Sequence, residues 1–442
     1  MKKTLCLGIE STCDDNERIS VPRAPILGAS GGARREVPSG GLLCLGIEST
    51  CDETAAAVVS SDKRILSHII YSQIPEHRKF GGVVPELAAR AHILAIDQVI
   101  NQALVDAGKT ITDIDVVAAA GGPGLIGGVL VGWNAARGLA QASGKPLVAV
   151  NHMEGHALVP RLTADIKFPY LLLLVSGGNC QILLAKGVGD YEIMGRTIDD
   201  SIGEAFDKVA KMLGLPYPGG PEIDRLAQTA RNQPHAVTPA KAGVHCSNLS
   251  PQATQFHFPR PLVGTPGCDF SFSGIKTSAR MQLDKIGRPL TDDERAAFAS
   301  EFQTAAIDCL IDRLKNAFAI LKNNSPLAGV RTETENMTKC HVFPSEQNPR
   351  IFDSVDSSNG DFVAGGGTKP TALVVAGGVA KNSLLREALP KIAAENGVEF
   401  HAPRLDLCTD NGAMIAWAGI ENFQIGNLAP ADFRPSPRWQ LA

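Results

Sequence analysis

From residue 43 onward, apolar residues alternate between short strand-like runs and longer segments with helical spacing. Two pairs of short apolar runs, 43–47 with 54–60 and 170–175 with 181–185, predict β-hairpins. Further strands are predicted at 115–120, 146–150 and 373–375, and helices at 85–107, 130–143, 201–213 and 292–322, with a last helix beginning near Gly412. Helices follow each hairpin, so the order predicts an α/β protein of two similar lobes that face a cleft.

Three segments depart from this pattern. Residues 232–254 and 331–369 are rich in Pro, Ser, Asn, Thr and Gly without periodicity, and we interpret both as disordered inserts. The sequence LCLGIESTCD occurs twice, at 5–14 and 43–52, and only the second copy continues into a strand-like run. We therefore expect residues 1–42 to be an appended, poorly ordered segment that carries a spare first strand.

These boundaries predict the domain organisation. The N-terminal lobe is expected to contain residues 43–150 together with 411–442, and the C-terminal lobe residues 151–410 with the two inserts. The chain has 442 residues, enough for two or three domains of roughly 150 residues each.

The composition of the chain indicates which cellular compartment and which kinds of binding partner to expect. The formal net charge of -4 gives no overall electrostatic footprint for nucleic acid. Two local basic groups, at 77–79 and 276–288, are either binding surfaces or ordinary solvated faces. The ten cysteines include no C-x-x-C pair, which is typical of reduced thiols. No apolar run is long enough for a membrane helix or a signal peptide, so we expect a cytoplasmic protein.

A histidine pair is the first candidate for chemistry. His152 and His156 are four residues apart, so on a helix their rings share one face and could hold one metal ion. The alternative is two surface histidines. Asp410 precedes the last predicted helix and is either its capping residue or a third metal ligand. Two histidines and one carboxylate suit iron or zinc.

Three glycine turns are the second candidate. They lie at 176–178, 219–221 and 377–378, each expected directly after a buried strand, where backbone N–H groups can approach a phosphate. Ordinary turns are the alternative. Asp207 and Asp224 flank the middle turn and are otherwise helix-surface charges. The polar hairpin tip at 48–54 is either a solvated turn or a phosphate and metal loop.

Nine sequence blocks, in order, resemble one family closely. They are LGIESTCDET, GGPGLIGGVLVG, NHMEGH, LLVSGGN, DDSIGEAFDK, YPGGPEID, DFSFSGIKT, VVAGGVAKN and CTDNGAMIA. The chain resembles the TsaD family of bacterial tRNA adenosine threonylcarbamoyltransferases. The resemblance covers nearly everything from residue 43 onward except the two inserts.

The resemblance implies a fold of the actin, Hsp70 and sugar-kinase type (ribonuclease H-like), with two lobes flanking a nucleotide cleft. It implies transfer of a threonylcarbamoyl group from threonylcarbamoyl-adenylate to N6 of adenosine 37, in tRNAs that read codons beginning with A. It places metal ligands at His152, His156 and Asp410, with iron(II) the usual metal and zinc possible. It places substrate binding at Leu174, Val175, Ser176, Gly177, Gly178, Asp207, Gly220, Asp224 and Asn382. It implies two partners, a TsaB-like paralogue and a TsaE-like ATPase.

The duplicated block and the inserts depart from the family pattern. They leave open a folded but inactive binding scaffold, and the fold alone would also suit an ATPase or kinase-like relative. The H-x-x-x-H pair raises a metalloprotease as a further alternative, but Glu154 is not where a protease of the H-E-x-x-H type needs its general base.

Overall fold

The computed structural model describes residues 41–232, 256–323 and 369–441. The predictions made for residues 1–40, for nearly all of the first insert and for most of the second lie outside these residues. The described strands are β1 Leu43–Glu48, β2 Glu53–Ser60, β3 Ile65–Ser72, β4 Val116–Gly122, β5 Leu147–Asn151, β6 Tyr170–Val175, β7 Cys180–Gly187, β8 Asp190–Arg196, β9 Ala372–Ala376 and β10 Glu399–His401.

The described α-helices alternate with these strands. They are α1 Ile74–Arg78, α2 Pro85–Asp106, α3 Ile126–Ser143, α4 His152–Thr163, α5 Ile202–Met212, α6 Gly219–Asn232, α7 Ser273–Ile286, α8 Asp292–Asn323, α9 Ser383–Asn396 and α10 Gly412–Gln424. No helix in this part of the chain is both long and apolar enough to cross a membrane. Its six cysteines are all free thiols, as expected from their spacing.

The first sheet has the strand order β3-β2-β1-β4-β5. β1 pairs antiparallel with β2 and parallel with β4, and β5 continues the sheet in parallel. Both faces of this sheet are covered, which explains why its central strands are uniformly apolar rather than alternating. Ile47 and Val58 face α2 and α3, whereas Cys44 and Val59 face α10.

The second sheet repeats this topology with the order β10-β9-β6-β7-β8. β6 takes the place of β1, with an antiparallel neighbour on one side and the parallel strand β9 on the other. One face packs against α5, α8 and α9 in the largest apolar cluster, and the other face packs against Met153 and Ala157 of α4. The repeated order confirms the prediction of a two-lobed α/β fold.

Several elements differ from the sequence predictions. The edge strands β3 and β8 were not predicted, because their partly exposed faces carry polar residues. The helix predicted from residue 130 begins at Ile126. Glycine is needed inside this helix because Ser49 packs closely against it. A Cβ at Gly128 would lie 2.3 Å from the Ser49 carbonyl oxygen.

The prediction that the glycine turn at 219–221 directly follows a buried strand is wrong. Gly219 and Gly220 do not follow a strand; they form the first turn of α6, which packs between α5 and α8. The apolar residues that suggested a strand before them belong to the end of α5 and its short connection to α6.

The segment after α10 returns across the first sheet. Phe433 packs on Trp133 of α3 with ring centroids 4.6 Å apart. The Ser436 backbone N–H donates to the Gly121 carbonyl at the end of β4. Further along, the Asn151 amide donates to the carbonyl oxygens of Trp439 and Gln440 at 3.2 Å each. This returning segment, residues 425–441, therefore ends its described course beside the start of α4.

The contact between β1 and α10 gives a prediction. A Cβ at Gly46 would lie 2.3 Å from the Ala416 nitrogen and 2.3 Å from the Gly412 carbonyl oxygen. Gly46→Ala should therefore force the helix off the sheet and cost about 1–3 kcal/mol or more. The matched control is Gly138→Ala in α3. A Cβ at Gly138 would meet no atom of the described residues within 4 Å, so this substitution should stabilise the helix by roughly 0.5–1 kcal/mol. Urea unfolding midpoints measure both; equal midpoints would contradict the packing argument.

Candidate metal and nucleotide site

The two histidines occupy the first turns of α4, directly after β5. The side chain of Asn151 caps this helix by accepting a hydrogen bond from the Met153 N–H at 2.9 Å. His152 is 7% exposed and His156 is fully buried. They are therefore not surface histidines, and their rings lie with centroids 4.8 Å apart.

Asp410 meets these rings from the loop before α10. Its Oδ1 atom lies 3.0 Å from Nε2 of His156 and 3.4 Å from Nε2 of His152. Asp410 is not the capping residue of α10, because Asn411 takes that role by accepting from the Met414 N–H. The Asp410 carboxylate is thus available to the histidines.

The three residues fit a single metal ion. One ligand atom from each of His152, His156 and Asp410 lies within 4.8 Å of the others. Bonds of about 2.0–2.2 Å at tetrahedral or octahedral angles put ligand atoms about 3.0–3.5 Å apart, which is the spacing seen between Asp410 and the rings. Two imidazole nitrogens and one carboxylate oxygen are donors that suit zinc or iron.

The charges in this group are strongly coupled. Burial by itself would raise the pKa of Asp410, but the neighbouring His152 and His156 hold it well below its ordinary value. Burial would lower the pKa of His152, whereas the carboxylates of Asp410 and Glu48 raise it well above its ordinary value. Metal binding at this site would therefore displace a proton from His152.

The polar hairpin tip also belongs to this site. Glu48, Ser49 and Thr50 are almost completely buried, so the tip is not a solvated turn. Oε2 of Glu48 is 2.9 Å from Nδ1 of His152. The Ser49 hydroxyl instead fastens the tip to α3, donating to the Gly128 carbonyl and accepting from the Gly132 N–H. Sequence patterns alone did not indicate that this tip contacts the histidines.

Two of the glycine turns are neighbours in the second sheet. Leu174 and Val175 end β6 and are fully buried, so they lie beneath the turn and neither side chain nor backbone is exposed. The turn at Ser176 follows them, and β9 is paired with β6 in register up to Leu174 and Ala376. A Cβ at Gly177 or Gly178 would meet no atom within 4 Å. These glycines therefore border open space that a side chain would narrow.

The remaining predicted positions surround the starts of two helices. Asp207 accepts from the Gly219 N–H at 2.7 Å, and burial raises the pKa of its carboxyl. Gly220 also borders open space. Asp224 accepts from the Ser383 hydroxyl at 2.6 Å, next to Asn382, whose side chain caps α9. Asp207 and Asp224 are thus anchored groups rather than surface charges.

Asp52 and Tyr217 connect the two parts of the site. The Tyr217 hydroxyl donates to Oδ2 of Asp52 at 3.3 Å, which links the hairpin tip to the segment before α6. Tyr217 was not selected from the sequence, although it stands in the block YPGGPEID. The hairpin tip therefore contacts both a candidate metal ligand, through Glu48 and His152, and the segment before α6.

In the candidate basic surface at 276–288 three bases are paired with acids, whereas the one at 77–79 has one member in the interior. His77 is buried. Lys276 pairs with Asp200. Arg280 forms an ion pair with Asp284, and Arg288 forms one with Glu294. These groups therefore favour the interpretation as ordinary faces of the protein.

Fold and site together define a two-lobed α/β protein with a buried candidate metal centre, whose helix touches Asn179 after the first glycine turn. The family model described as "TsaD: tRNA N6-adenosine threonylcarbamoyltransferase" matches residues 64–417. The chain belongs to this family, which confirms the resemblance in its motifs.

Curated relatives agree with the family match. The tRNA N6-adenosine threonylcarbamoyltransferase of Paramagnetospirillum magneticum is 46% identical over 389 residues, covering 88% of this chain and 94% of the relative. The protein of the same name from Rhodospirillum rubrum is 46% identical over 395 residues, covering 88% and 92%. That from Rhizobium etli is 46% identical over 394 residues, covering 88% and 91%.

Removing the side chain of any one of the three candidate ligands should abolish metal binding at the candidate site. We expect His156→Ala and Asp410→Ala to lose most bound metal, because two remaining donors hold a divalent ion far more weakly than three. Metal content after dialysis, measured by mass spectrometry, should fall from about one ion per chain to near zero. His401→Ala is the control, since His401 pairs with Glu399 and is not among the three ligands. Full retention of metal by the Asp410 variant would exclude this ligand set.

Proposed function

We propose that the site binds threonylcarbamoyl-adenylate and passes its threonylcarbamoyl group to N6 of adenosine 37, in tRNAs that read codons beginning with A. The chain is a transferase that modifies tRNA, as its family membership states. The observation that carries the proposal is the convergence of His152, His156 and Asp410 at a helix whose Met153 sulfur accepts from Asn179, the residue after the glycine turn at 176–178.

The glycine turns are the proposed site of the adenylate. The side-chain positions of Gly177 and Gly178 border open space, so the phosphate of an adenylate could approach the backbone of this turn without meeting a side chain. At the start of α6, Asp207 already accepts from the N–H groups of Gly219 and Gly220, so Gly220 is proposed to contact the adenylate at its Cα, which borders open space. Asp224 and Asn382 are proposed to bind the nucleoside, because both are held in place beside the start of α9.

The proposed cofactor is iron(II), with zinc as the alternative, held by His152, His156 and Asp410. When bound, the cation would supply Lewis-acid polarisation of the carbamoyl carbonyl. The protein positions that carbonyl against the incoming amine, and such positioning supplies much of the rate when the nucleophile is weak.

We propose direct transfer without a covalent enzyme intermediate. The N6 amine attacks the carbamoyl carbon, the bond from that carbon to the phosphate oxygen breaks and AMP leaves. The proton released by the amine passes to the leaving phosphate or to water. Cys51 is the thiol of the hairpin tip, and burial and the nearby carboxylates of Asp52 and Asp410 raise its pKa well above the ordinary value. It therefore stays protonated and a poor nucleophile. A trapped threonylcarbamoyl-protein adduct would contradict direct transfer.

The alternatives are less well supported. Glu154 lies between the two histidines in sequence, but its carboxylate accepts from Gly189, Tyr191 and Asn422. It is committed to these groups and does not serve as a protease general base. The family match and the relatives favour neither an inactive scaffold nor a kinase-like activity.

The proposed partners are those implied by the family resemblance. They are a TsaB-like paralogue and a TsaE-like ATPase, and a cytoplasmic location would suit a substrate such as tRNA. Co-purification of the tagged chain with these two proteins tests the proposal, and their absence from the purified complex would argue against it.

The activity is tested in cells depleted of this protein. Expression of the wild-type chain should restore threonylcarbamoyladenosine in tRNA, whereas His152→Ala should restore none, because it lacks a proposed metal ligand. Mass spectrometry of tRNA nucleosides measures the modified base, and His401→Ala serves as the matched histidine control. Full restoration by His152→Ala would refute the proposed role of the metal site. Failure of the wild type would favour the inactive scaffold.

The proposed adenylate site is tested by adding one methyl group to the glycine turn at 176–178. Gly178→Ala should weaken binding of AMP by about five- to hundredfold, corresponding to about 1–3 kcal/mol of steric cost, while the fold is unchanged. Gly144→Ala, at the C-terminus of α3, is a control far from the turns in sequence, although its positive φ of +66° makes some loss of stability expected. Isothermal titration calorimetry gives the affinity and circular dichroism the folded state. Unchanged AMP affinity in Gly178→Ala would exclude this turn from the site.

A further inference from the structure

The carboxylate of Glu48 lies against the ring of His152 on the side away from Asp410. Its Oε2 atom is 2.9 Å from Nδ1, while Nε2 of the same ring is 3.4 Å from Oδ1 of Asp410. Glu48 is fully buried, so water does not compete for this contact. The ring is therefore held at both nitrogens, by the hairpin tip on one side and by the loop before α10 on the other.

The hairpin tip fixes the Glu48 carboxylate in turn. Its Oε1 atom accepts from the Thr50 backbone N–H at 2.6 Å. The Thr50 hydroxyl is also 3.0 Å from Nδ1 of His152. A carboxylate oriented in this way is suited to accept a hydrogen bond from Nδ1–H, which keeps the proton on Nδ1 and leaves the Nε2 lone pair free for a metal.

His156 provides an internal contrast. Its Nε2 atom is 3.0 Å from Asp410, but its Nδ1 atom is buried without a hydrogen-bond partner in the described part of the chain. The two histidine ligands are therefore unequal, and only His152 has a carboxylate behind it.

We propose that Glu48 is a positioning residue of the metal centre, which holds the Nδ1 proton of His152 and thereby directs Nε2 to the metal. The inference rests on the proposed metal site. A carboxylate behind a histidine ligand orients the ring and increases its basicity, and loss of such a partner costs about 10–100-fold in metal affinity. The hairpin tip of the first sheet would thus control a metal whose ligands belong to other segments.

The first test measures zinc affinity of the purified full chain by competition with a chelator. Glu48→Gln keeps the side-chain size and removes the charge, and should weaken zinc binding by about 10–100-fold. Thr50→Val removes the other group at Nδ1 and should weaken it less. Equal zinc affinity of Glu48→Gln and the wild type would overturn the proposal, as would a larger loss in Thr50→Val.

Glu154→Gln is the matched control. Glu154 is another buried glutamate, lies on the metal-bearing helix and accepts three hydrogen bonds. Its replacement should lower the melting temperature and leave zinc affinity unchanged, which separates loss of stability from loss of ligand positioning. A loss of zinc affinity in Glu154→Gln equal to that in Glu48→Gln would mean that Glu48 acts only through the fold.

A second measurement decides the question even where Glu48→Gln does not fold. Nitrogen NMR of the zinc-loaded wild type with labelled histidine should place the His152 proton on Nδ1 and zinc on Nε2. Zinc on Nδ1 would overturn the role of Glu48 while leaving a metal site in place. Absence of any zinc binding by the wild type would remove the metal centre itself, and the inference with it.

Discussion

The contact of Asp410 with both histidine rings constrains the rest of the site, because it joins segments 254 residues apart in sequence. The histidines begin a helix that leaves the first sheet, and Asp410 precedes a helix that packs on that same sheet. The relative position of acid and rings is therefore set by the close packing of α10 on β1 and β2. A buried acid without these rings would be costly, so fold and site depend on each other.

Glycines serve two different purposes around this constraint. At Gly46 the missing side chain lets a helix approach a strand, so the residue serves packing. At Gly177 and Gly178 none of the described residues occupies the place of a side chain. Glycines of the second kind are better candidates for ligand contact, because the packing of the chain itself does not require them.

The sequence was sufficient for the two lobes, since their central strands are continuous apolar runs, and for His152 and His156, since four-residue spacing places them on one helix face. It was insufficient for β3 and β8, whose exposed faces weaken the apolar signal. Gly219 was misplaced because an apolar helix end resembles a short strand. The role of Glu48 depends on a contact across 104 residues, which no local pattern contains.

The side chain of Asn151 links the C-terminal returning segment to the start of the helix that carries the histidines. One end of its amide caps α4, which carries the two histidines, and the other end holds the returning segment at Trp439 and Gln440. That segment also packs on α3 through Phe433. A change in how this segment packs on α3 would therefore reach the N-cap of the helix whose first residue is His152.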